Sequence, residues 1–71
     1  MSVNSRKIKN IGVIIKKARE QKGYTQEKLA EITHLSTGYI GFIEQGQRTP
    51  SINTADKIAR VLGVKLSELF D

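Results

Sequence analysis

The apolar positions of the chain fall into four segments with helical spacing, followed by a short apolar tail. Ile8, Ile11, Ile15, Ala18 and Lys22 share one face of a predicted helix over 8–22, and Gly23 is placed to end it. Leu29, Ala30 and Ile32 form a stripe over 26–33, with Thr25 as its cap. Ile40 and Ile43 face inward from a third segment over 37–45, capped by Ser36. Ile52, Ala55, Ile58, Ala59 and Leu62 recur over 51–62, with Pro50–Ser51 as the start signal and Gly63 as the stop. Leu66, Leu69 and Phe70 make a last turn over 65–70. The expected fold is therefore all-α, and 71 residues leave room for one domain with one small core.

The second and third segments are separated only by Thr33-His34-Leu35, the spacing of a helix-turn-helix. In that motif the first helix lies across the DNA backbone and the second enters the major groove. With Ile40, Ile43 and Glu44 on one side of the third segment, Gly38, Gly41, Phe42 and Gln45 lie roughly opposite, and Thr37 sits at the exposed amino end. These five are the candidate base-facing residues. Two are glycines, each weakening the helix by roughly 0.5–1 kcal/mol relative to alanine but letting its backbone approach the groove closely. Phe42 can touch a thymine methyl, and Gln45 or Thr37 can bond a base edge. A second reading has Phe42 half buried against the preceding helix or another subunit.

The order Thr-Gln-x-x-Leu-Ala (25–30), Leu-Ser-x-x-Tyr-Ile (35–40), Ile-Glu-x-Gly (43–46) and Pro-Ser (50–51) resembles the phage Cro/cI-type (XRE) helix-turn-helix family. Ile11-Gly12, Arg19, Ile58-Ala59, Leu62-Gly63-Val64 and Leu66-Ser67-Glu68-Leu69-Phe70 continue the match, leaving about the first seven residues outside it. The resemblance implies a compact five-helix, lambda-repressor-like domain that binds operator DNA, usually as a dimer, to regulate transcription. It also implies that Arg19 and Glu44 form a partly buried structural ion pair, and that Gln26 bonds a phosphate. Unpaired N–H groups at a helix start favour that contact independently, although Gln26 can instead cap its own helix. His34 departs from the family, which usually has glycine there for a left-handed backbone; histidine is among the less disfavoured substitutes.

Charge adds to this picture. The net charge is +5, but residues 1–23 hold seven cations against one acid while residues 24–71 hold five against six. The expected basic arm over 1–7 and the lysines of the first helix, Lys16 and Lys17, therefore supply most of the attraction to a polyanion. A merely solvated lysine face is the plainer alternative. Arg48 is the basic candidate after the third segment. Ser36, Tyr39, Gln47 and Thr49 complete the expected phosphate-contacting set. Val13 lies opposite the core face of the first helix, either simply exposed or part of an interface.

No cysteine and a single histidine give no metal site, and no cofactor is expected. Neither a nucleophile with its base, paired acids nor a phosphate-binding loop is present, so the chain does not read as an enzyme. The longest apolar run, Val13-Ile14-Ile15, is too short for a membrane span, and a cytoplasmic location is expected. The expected partners are double-stranded DNA and a second copy of the chain. Val64, Leu66, Leu69 and Phe70 offer the candidate dimer surface, since so short a segment cannot bury them all. The alternative function is a protein-interaction module, such as an antitoxin-type partner binder, on the same fold.

Overall fold

The computed structural model describes residues 10–70. The expected basic arm, with Arg6 and Lys7, and the positions of Ile8 and Lys9 lie outside them. Among the described residues four α-helices follow one another: α1 (Ile11–Gln21), α2 (Gln26–Thr33), α3 (Thr37–Glu44) and α4 (Ile52–Leu62), then a single 3₁₀ turn at Leu66–Glu68. Among the described residues there is no strand, and no helix is long and apolar enough to cross a membrane.

Every helix begins with a polar side chain that accepts a backbone N–H otherwise without a helical partner. Asn10, Thr25, Ser36 and Ser51 accept from Val13, Lys28, Tyr39 and Thr54, at 3.3, 2.9, 3.0 and 3.2 Å. The Asn10 cap starts α1 at Ile11, three residues later than the periodicity predicts, because an N-cap residue leaves the helical backbone conformation. Endings are equally uniform. Gly23, His34, Gly46 and Gly63 adopt φ of 76°, 59°, 80° and 74°, and the N–H of the next residue reaches back to the last helical turn. Those closing bonds are Tyr24 to Arg19 O (3.1 Å), Leu35 to Ala30 O (2.9 Å), Gln47 to Phe42 O (2.8 Å) and Val64 to Ala59 O (3.0 Å).

His34 is thus the one non-glycine among the described residues in the left-handed region. A side chain there costs roughly 1–2 kcal/mol, partly offset by the extra freedom glycine has when unfolded. We expect His34→Gly to raise the melting temperature by a few degrees; an unchanged value would mean that the imidazole makes compensating contacts.

The core gathers residues from all four helices and Leu69 after the 3₁₀ turn: Ile15, Leu29, Ile40, Ile43, Ala55, Ile58 and Leu69 are at most 1% exposed. Five expectations are corrected by the structure. Ile32 is at the surface because Thr33 lies between Leu29 and Ala30 on the helix; Thr33 is buried instead, its hydroxyl donating to Leu29 O at 2.7 Å. Ile52, the first residue of α4, precedes the inward run that starts at Ala55 and is 59% exposed. Lys22 is exposed as the α1 cap residue. The expected fifth helix is only the 3₁₀ turn at Leu66–Glu68. Leu69 follows that turn and is fully buried, so it belongs to the core and not to a dimer surface.

Candidate nucleic-acid interface

The α2–turn–α3 unit presents one side of α3 outward. Gly38, Phe42 and Gln45 are exposed, Thr37 and Gly41 half-buried, while Ile40, Ile43 and Glu44 point inward. Phe42 is 47% exposed, so its ring is not covered by α2. A Cβ built on Gly38 meets nothing within 4 Å, which leaves the backbone at that position open to approach. Ser36, Gln47, Arg48 and Thr49 are exposed at the two ends of α3. The Arg48 guanidinium carbon stands 6.0 Å from the centre of the half-buried Tyr39 ring, a cation–π contact that gives the loop's cation a preferred place beside α3. Lys16 and Lys17 are exposed on α1. Among the described residues none of Lys16, Lys17 and Arg48 has a carboxylate partner, whereas Lys28 and Arg60 are paired with Glu31 and Asp56.

Behind the exposed face lies the ion pair. Arg19 Nε and Nη2 donate to Glu44 Oε2 and Oε1 at 2.6 and 3.1 Å, and Nη1 donates to Tyr24 O at 2.7 Å. The Glu44 side chain is 2% exposed and that of Arg19 10%. The hydrogen bonds to Glu44 push the Arg19 pKa above its ordinary value; burial opposes this, and the charge of Glu44 adds to it.

Two contacts between elements were not legible in the sequence. Gly12 packs against the carboxyl end of α3: a Cβ there would lie 2.7 Å from Glu44 O and nearer still to Ile43 O. The hint is a small residue at the edge of the inward face of α1. The second is made by Gln26, the residue expected at a phosphate: its Nε2 donates to Glu44 Oε1 at 3.0 Å, and Thr25, not Gln26, caps α2. Among the described residues no cluster of His, Cys, Asp and Glu could hold a metal ion.

Two short helices locked at a tight turn, one buried on its inner side and bare on its outer, define the helix-turn-helix class. Residues 15–69 match the helix-turn-helix family HTH_3, and the chain belongs to that family, the XRE type. It is 42% identical over 62 residues to the transcriptional regulator SlrR of Bacillus subtilis, covering 86% of this chain and 41% of SlrR. The chain thus spans less than half the length of that relative. Among solved structures, the restriction-modification controller protein C.AhdI from Aeromonas hydrophila superimposes with a TM-score of 0.79 at 36% identity, covering 86% of this chain and 92% of that one. SinR, a master regulator for biofilm formation solved in complex with DNA, gives 0.80 at 37% identity, covering 86% and 98%. The similar proteins are transcriptional regulators, in line with the non-enzymatic reading.

Proposed function

We propose that the chain is a cytoplasmic transcriptional regulator, acting as a repressor, that binds a palindromic operator as a dimer with α3 in the major groove. The observation that carries this is the bare outer side of α3, flanked by the capped start of α2 and by Arg48. Similarity to SinR, solved in complex with DNA, supports DNA as the partner. Thr37, Gly38, Gly41, Phe42 and Gln45 then face the bases, with Phe42 against a thymine methyl and Gln45 on a base edge. Ser36, Tyr39, Gln47, Arg48, Thr49, Lys16 and Lys17 hold phosphates, which fixes register without reading sequence. One short helix reads few base pairs, so a second copy is needed to specify a site. With Leu69 in the core, the half-buried Val64, Leu66 and Phe70 are what remains to join the two.

The test is titration of a duplex carrying a palindrome selected from random DNA. Two chains should bind per duplex, with half-site centres about 34–36 Å apart. Affinity should fall steeply with salt as counterions are released, and Arg48→Ala should weaken specific and random DNA alike while lowering the salt slope by about 1. Salt-independent binding would remove the phosphate assignment, and one chain per saturated palindrome would remove the dimer. Failure to select any DNA would leave the protein-interaction reading, which the exposed Phe42 ring favours.

A further inference from the structure

The side chain of Gln26 lies at the flank of α3 where Gly41 has none. Both heavy atoms of its amide head are within 3.9–4.0 Å of the place a Gly41 Cβ would take. The orientation of that head is dictated by chemistry. Both Glu44 oxygens accept from Arg19, so the donor end of the amide, its nitrogen, faces the carboxylate, and the bond is 3.0 Å long. One N–H is used there. Oε1 and the second N–H have no hydrogen-bond partner among the described residues, and Gln26 is only half-buried. Arg19 holds Glu44 by two bonds, and Glu44 in turn holds Gln26, so the head is fixed through a buried chain that begins on α1.

Resting on the DNA-binding reading above, we infer that Gln26 is a specificity-determining residue: its amide, displayed over Gly41, reads an adenine edge in the major groove, supplying from α2 a contact that α3 lacks. An acceptor and a donor on one planar head match the N6–H donor and N7 acceptor of adenine, the pairing glutamine makes with that base. A phosphate offers no donor, so Oε1 would go unused against it. Gly38 and Gly41 contribute no side chain, which lets the α3 backbone sink toward the bases and brings the Gln26 head within the groove. The positioning network explains why a flexible glutamine can serve: its rotamer is already restrained before DNA arrives.

The experiment is selection of bound sequences from a random duplex pool by the parent, Gln26→Ala and Gln26→Met, with melting curves for each. Methionine keeps the length of the side chain and removes its hydrogen bonding. The parent should select an A·T pair at one position in each half-site, and both variants should lose that preference while keeping the others. A uniform loss of affinity with an unchanged site, or no change, would overturn the inference, because Gln26 would then hold a phosphate or nothing. Should the variants fold poorly, the parent protein decides alone: 7-deazaadenine at that position, which removes N7, should weaken binding about tenfold, and equal affinity would overturn the inference. A parent that enriches no sequence would instead sink the DNA-binding reading itself.

Discussion

Arg19→Ala is expected to lower the melting temperature by about 15 °C or more. The substitution strands Glu44, with its side chain 2% exposed, beside a space that held two charged hydrogen bonds. Removing one partner of a buried pair costs about 3–5 kcal/mol, and in a domain this size each kcal/mol moves the melting point by about 4–8 °C. Such a loss is a large part of the total stability of a small domain. Arg19→Met combined with Glu44→Met should recover much of it, since no uncompensated charge then remains. Thermal unfolding followed by circular dichroism checks both. A single variant melting within a degree of the parent would show that Glu44 finds water or another cation at little cost.

Gly12→Ala should destabilise the fold and Gly38→Ala should stabilise it, although both exchange a helical glycine for the best helix former. Propensity alone favours alanine by about 0.8–1 kcal/mol at either position. At Gly38 nothing opposes the gain. At Gly12 the new methyl would meet the carbonyl oxygens of Ile43 and Glu44, which are backbone and cannot rotate aside. Relieving the overlap requires α1 and α3 to move apart, at about 1–3 kcal/mol or more, which outweighs the propensity gain. The same shift tilts α3, so DNA affinity should drop with stability in Gly12→Ala. Denaturant unfolding of the two variants checks the signs; two positive changes would mean that the α1–α3 contact is softer than its geometry implies.

Apart from the start of α1, the helices begin and end at the caps and turn residues the sequence offers, because those determinants are local. Thr25, Ser36 and Ser51 cap, and Gly23, His34 and Gly63 end their helices, through bonds to residues within the neighbouring turn. The helix-turn-helix spacing and the outward side of α3 followed from periodicity in the same way, and the Arg19–Glu44 pair from family resemblance. What periodicity could not supply were the contacts made between elements. Whether Ile32 or Thr33 turns inward is decided by which neighbours meet α2, and a buried threonine becomes acceptable only once its hydroxyl bonds its own helix. Leu69 and Phe70 could not be ranked, because a single 3₁₀ turn carries too few positions to define a face. Gly12 and the Gln26–Glu44 bond depend on how closely α1, α2 and α3 approach one another, a distance that no pattern within one helix encodes.

The outer side of α3 has one more consequence, for how such a domain acquires new targets. Phe42 and Gln45 touch little of the fold, and Gly38 has open space around it. Phe42 and Gln45 close the carboxyl end of α3 through backbone groups alone, while the Ser36 cap, the Gly46 turn, Gly12 and the buried ion pair that hold α3 in place stand at other positions. Mutation can therefore rewrite Gly38, Phe42 and Gln45 without spending stability, so lineages of this chain can drift between binding sites along paths on which every intermediate still folds.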